Sequence, residues 1–193
     1  NNNYFTGGTT KGVVDTDGNY TTEPVGDAIK LTKGLGGNYV NVINNVFEDI
    51  YRDCIDLFTC GVMVNFSYNI CKNTNVLVAD IKTIYRDPDD PYGTTDPANP
   101  TRDIILSFNV IKESGTLGQS DSTAISIIHT DETANLTYSD IQYSAQRVKI
   151  FGNKIHSSSK YGIYILKCKN IEVANNEIKD VIERYVYLRN GCE

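Results

Sequence analysis

One arrangement of apolar and polar positions recurs five times along the chain: apolar, any, apolar, two residues, asparagine, any, then apolar or cysteine. It reads Val40-Asn-Val42 with Asn45 and Phe47, then Val64-Asn-Phe66 with Asn69 and Cys71. It continues as Ile104-Ile-Leu106 with Asn109 and Ile111, Val148-Lys-Ile150 with Asn153 and Ile155, and Ile171-Glu-Val173 with Asn176 and Ile178. The asparagines are 24, 40, 44 and 23 residues apart, so a short unit is twice lengthened by inserted residues. A second alternating segment follows. Ile55-Asp-Leu57, Ile163-Tyr-Ile165 and Val186-Tyr-Leu188 each begin 10 residues after their asparagine. Val76-Leu-Val78, 7 residues after Asn69, and Ile125-Ser-Ile127, 16 after Asn109, are looser matches, and Ile29-Lys-Leu31 looks like the same segment of an earlier turn.

Alternation with period two means strands with one buried face. Segments this short do not stand alone as sheets. Helical periodicity is weak throughout. A repeat of roughly 22 residues carrying two or three short strands predicts an all-β parallel β-helix, a solenoid of about six to seven coils with loop excursions. Successive coils would stack about 4.8 Å apart. The recurring asparagine would then form an interior ladder, because a primary amide both donates and accepts. A β-sandwich has no need of asparagine at a fixed phase. Residues 1–25 read as an irregular N-terminal segment and 26–193 as the solenoid, expected to be part of a longer chain because no capping element follows the last strand.

Composition narrows the partners. The net charge of −6 and pI of 4.9 provide no basic field for phosphates, so nucleic acid is not expected as a partner. No run approaches the roughly 18 apolar residues of a membrane span. The five cysteines contain no CxxC pair and read as buried free thiols. Cys168 and Cys192, 24 residues apart, should occupy equivalent corners.

The motifs Val42-Ile-Asn-Asn45-Val-Phe47 and Ile171-Glu-Val-Ala-Asn-Asn176-Glu-Ile178 resemble the right-handed parallel β-helix repeats of the pectate-lyase-like superfamily, over roughly residues 26–191. That superfamily includes pectate lyases, polygalacturonases, uronan epimerases and bacteriophage tailspikes. The resemblance implies a carbohydrate-directed domain that binds, and in some members depolymerises, a bacterial surface polysaccharide. It also implies an extracellular or virion-surface location, and a homotrimer or packing against neighbouring domains. Two other readings stand beside it: a non-catalytic structural or receptor-binding shaft, and a Ca²⁺-dependent polysaccharide lyase.

Candidate chemistry sits where the repeat breaks and on the outward strand positions. The gap from Val78 to Ile104 is 26 residues and that from Ile127 to Val148 is 21, and both leave from the same corner. The first excursion holds Asp87, Asp89 and Asp90, whose oxygens could ligate Ca²⁺ or simply form a solvated acidic turn. No other cofactor is expected. The second carries His129, Asp131 and Asp140, candidates for acid/base catalysis, with an ordinary polar loop as the alternative. Tyr138 in that loop and Arg102 at the end of the first excursion are candidate substrate contacts. Outward positions of the second strand read Lys30, Asp56, Leu77, Ser126, Tyr164 and Tyr187. Asp56 is expected as an exposed carboxylate with a catalytic role. Lys30, Tyr164 and Tyr187 are expected to contact substrate. The two tyrosines should stack one coil apart, whether to meet a sugar or to stabilise the sheet.

Overall fold

A computed structural model of the chain describes residues 2–8, 10, 12–17, 19–34, 39–59, 63–85, 101–116, 122–131, 145–158, 160–189 and 192. All regular structure among them is β. The chain opens with β1 (Tyr4–Gly7), a small antiparallel pair β2 (Val13–Val14) and β3 (Tyr20–Thr22), and β4 (Ile29–Gly34). Five passes of three strands follow. They are β5 (Tyr39–Ile43), β6 (Val46–Ile50) and β7 (Ile55–Thr59); then β8 (Met63–Ser67), β9 (Ile70–Thr74) and β10 (Ala79–Tyr85). The third is β11 (Thr101–Ser107), β12 (Val110–Ser114) and β13 (Thr123–Asp131). The last two are β14 (Ala145–Phe151), β15 (Lys154–Ser158) and β16 (Tyr161–Leu166), and β17 (Cys168–Ala174), β18 (Glu177–Val181) and β19 (Arg184–Arg189).

Each pass gives one strand to each of three sheets. Sheet I is β17-β14-β11-β8-β5, sheet II is β1-β6-β9-β12-β15-β18 and sheet III is β19-β16-β13-β10-β7-β4. All three are parallel, with equivalent residues of successive passes in register, as in Val64↔Ile104↔Val148↔Ile171. One continuous hydrophobic cluster draws on all three sheets, with Phe66, Phe47 and Leu57 among its sealed residues. Each such side chain contributes about 1.5–3 kcal/mol by leaving water. This all-β, parallel arrangement agrees with the class expected of the repeat. Among the described residues there are five complete passes, preceded by a partial one made of β1 and β4.

The corner between sheets I and II shows why the asparagine recurs. The residue before it has a left-handed backbone in every pass: Asn44, Tyr68, Phe108, Gly152 and Asn175, with φ between 54° and 67°. That reversal turns the chain inward, and the following asparagine is enclosed in the first four passes and half-buried, as Asn176, in the last. Its amide nitrogen and its backbone N–H both donate to the Oδ1 of the next asparagine. The contacts Asn45–Asn69, Asn69–Asn109, Asn109–Asn153 and Asn153–Asn176 are 2.9–3.1 Å. The ladder also includes Asn3, which donates to Asn45 and which the apolar pattern does not flag. At Gly152 the ring of Phe108 lies over the backbone, and a Cβ there would fall 2.6 Å from Phe108 Cε1.

One strand assignment is corrected. Val76-Leu77-Val78 is not the second strand of its pass; β10 begins at Ala79, which is itself 10 residues after Asn69. Leu77 lies in the turn, and Asp80 takes the stacked position assigned to it. The two excursions do leave and return together: Tyr85 is in register with Asp131, and Thr101 with Ala145. Among the described cysteines, Cys54, Cys71 and Cys168 are buried free thiols, and burial pushes the Cys71 and Cys168 thiols up. No helix among the described residues is long and apolar enough to cross a membrane.

Candidate functional site

Strand alternation sends one column of sheet III away from the core: Lys30, Asp56, Asp80, Ser126, Tyr164 and Tyr187, each in register with the next. The lower half of this column is charged, and beyond the exposed Lys30 it is enclosed. Asp56 is 0% and Asp80 2% exposed, with Ser126 beside them also buried. The expectation of an exposed Asp56 is therefore wrong. Outward parity places a side chain on the far face of the sheet, but that face is covered at this point. Lys30 Nζ bridges Asp56 Oδ2 at 2.7 Å and Asp27 Oδ2 at 3.0 Å. Lys82, two residues after Asp80 on β10, contacts Asp80 and lies 3.5 Å from Asp56 Oδ1.

Asp53, in the turn before β7, completes the group. Its Oδ1 accepts the backbone N–H of Leu77 at 2.9 Å, and its Oδ2 is 3.7 Å from Arg52 Nε. Burial, then the nearby charges of Asp80 and Asp27, push the Asp53 carboxyl well above the usual range. Burial likewise raises Asp80 to about 6, against the pull of Lys82. Burial works against the charge of Lys82 and Lys30, yet the surrounding carboxylates outweigh it and hold both ammoniums above their ordinary value. Unpaired charge is strongly disfavoured in such an environment, so these groups survive there only as a network.

The upper half of the column is aromatic. The Tyr164 and Tyr187 rings stack 5.5 Å apart with an interplanar angle of 19°. Tyr161 joins them, 5.4 Å from Tyr164 and 5.2 Å from Tyr187. Arg184 lies 4.3 Å from the Tyr187 ring centroid and Lys160 5.2 Å from that of Tyr161. All three rings are half-buried, leaving part of each open to solvent.

The structure brings Lys30, Asp56, Tyr164 and Tyr187 onto one face of sheet III. Arg102 is exposed on β11 in sheet I, a different face. His129 and Asp131 lie on β13 in register with Thr83 and Tyr85, and nothing is described of their side chains. Asp87, Asp89, Asp90, Tyr138 and Asp140 fall outside the described residues. Asp27, Asp53, Asp80, Lys82 and Tyr161 belong to the site but were not singled out from the sequence. The signal for Asp80 was present, since Ala79-Asp80-Ile81 keeps the spacing of 10. Comparison with protein-family models, curated proteins and solved structures finds no match to this chain.

Proposed function

We propose that this chain is a right-handed parallel β-helix of the pectate-lyase-like kind and that the outer face of sheet III binds a polysaccharide. The asparagine ladder, the cyclic order of the three sheets and their shared core support the architecture. The observation that carries the binding reading is the group of Tyr161, Tyr164 and Tyr187 on one outward face, with rings 5.2–5.5 Å apart. A tyrosine ring offers an apolar face for the C–H side of a pyranose and a hydroxyl for its polar edge. Arg184 and Lys160 at the margin add hydrogen-bond donors suited to hydroxyl and carboxylate groups of a bacterial surface glycan. The same proposal, resting on the resemblance of the repeat, puts the protein outside the cell or on a virion and assembles it as a homotrimer or against neighbouring domains.

The test is binding to a panel of bacterial surface polysaccharides. Tyr164→Ala and Tyr187→Ala should each weaken retention at least about tenfold, the equivalent of roughly 1.4 kcal/mol. Tyr68→Ala, at the exposed corner between sheets I and II, should not. Equal retention by all three variants would remove the reading.

A further inference from the structure

An ammonium and a carboxylate in contact at a surface stay ions, because water solvates both. Around Asp56 water is excluded. The side chains of Lys82, Asp80 and Asp56 are 11%, 3% and 0% exposed. They sit on neighbouring strands of sheet III, β7 and β10, with Asp80 in register with Asp56. Lys82, two residues further along β10, reaches back across that pair. Its Nζ touches Asp80 and lies 3.5 Å from Asp56 Oδ1. From the other side Lys30 donates to Asp56 Oδ2 at 2.7 Å. The two oxygens of Asp56 are therefore unlike. Oδ2 is held by a short charge-assisted hydrogen bond, whereas Oδ1 faces an amine nitrogen at longer than the usual N–H···O distance. Asp80 Oδ1 is buried and has no hydrogen-bond partner among the described residues, which leaves it open to carry a proton.

We propose that Lys82 and Asp56 condense to an isopeptide bond that joins β7 to β10, with Asp80 as the proton carrier. The step needs no reagent from outside the cluster. Lys82 Nζ forms a bond to Asp56 Cγ, and the Cγ–Oδ1 bond breaks. Two of the three ammonium protons pass through Asp80 to Oδ1, which leaves as water. Asp80 ends as it began, and nothing is oxidised or reduced. Lys30 stays on Oδ2, where it stabilises the negative charge that develops during addition. Oδ2 becomes the amide oxygen. A sealed ion pair is costly to keep out of water, and a neutral amide in its place removes both charges. The surrounding carboxylates favour the ammonium of Lys82 and keep the free amine scarce. The bond therefore forms slowly, and only in the folded chain, where the three groups meet. Once formed it closes a covalent loop over residues 56–82 and prevents the first two complete passes from parting at sheet III. It does not depend on the glycan reading.

The experiment is mass spectrometry of the whole chain, folded, incubated at neutral pH and then denatured. The native protein should weigh less than its sequence by one water. Trypsin should release a branched peptide joining residues 53–72 to 73–86, uncut after Lys82, with fragment ions that place the branch on Asp56. Lys82→Arg keeps the positive charge but should retain the full sequence mass. Asp80→Asn should slow the loss of water at least about tenfold. If either variant does not fold, the native mass and the branched peptide decide alone. Full sequence mass after prolonged incubation of the native protein overturns the proposal. Loss of water without the branch, as from a cyclised aspartate at Asp17-Gly18, overturns it equally, as does a branch on another carboxylate. Condensation in Asp80→Asn at the native rate overturns it too, because the proton then travels by another route.

Discussion

Asn109 is inaccessible to solvent, and its side chain makes four hydrogen bonds: two donated, to Phe66 O and Asn153 Oδ1, and two accepted from Asn69. Replacing it with alanine strands several buried groups at once, each costing about 1–3 kcal/mol. Asn109→Ala should therefore lose about 3–5 kcal/mol of unfolding free energy in urea, whereas Asn176→Ala, half-buried in the last pass, should lose about 1–2. A second residue-level expectation concerns pH. Burial raises Asp80 from 3.8 to about 6, so the folded protein retains a proton there that the unfolded chain releases earlier. The stability from that proton is complete below the unfolded value and lost as pH rises through the folded one. Asp53 acts in the same direction. Asp80→Asn is neutral at every pH. Its stability relative to the native protein should thus climb between about pH 4 and 7. Glu48, Asp103 and Glu177 are held below their usual range by exposed partners and pull the other way, but they are common to both proteins and cancel in the comparison.

At the level of strands, different features were legible for different reasons. The asparagines stood out because a buried amide at a left-handed corner must meet its equivalent in the next pass, which forces the same residue into the same phase. The alternating segments gave the strands of sheets I and III for the same reason, with one exception. Val76-Leu77-Val78 shows the stronger apolar alternation, whereas β10 opens with Ala79 and then places Asp80 and Lys82 outward. Spacing from the corner was the better guide there, because backbone stacking is set by residue count and not by hydrophobicity. Parity likewise identified the outward column of sheet III but could not report what covers it. Asp56 and Asp80 are enclosed while Tyr164 and Tyr187, in the same column, are partly open. Asp27 and Asp53 were invisible for a further reason: they lie in turns, outside any alternating segment, and meet the cluster only through stacking.

Across the whole molecule, enclosure declines toward the last pass. Ile165 is 0% exposed, but Leu188, its partner in β19, is 48%. Each pass contacts its neighbours alone, so stability approximates a sum of local terms and opening starts from the weaker end. Amide exchange followed by mass spectrometry should be fastest in β17–β19 and slowest in β8–β10, and saturating glycan should slow β19 in particular because Tyr187 belongs to it. Uniform exchange through all passes would contradict this. The amide column, finally, has a direction. From Asn3 to Asn153 every member donates upward, from Asn45 to Asn176 every member accepts from below, and none is reversed. Aligned dipoles of this kind polarise one another. The column therefore behaves as a one-way valve for assembly. Only a layer running in the same sense, arriving acceptor first, can extend it beyond Asn176, and an inverted layer meets donor against donor.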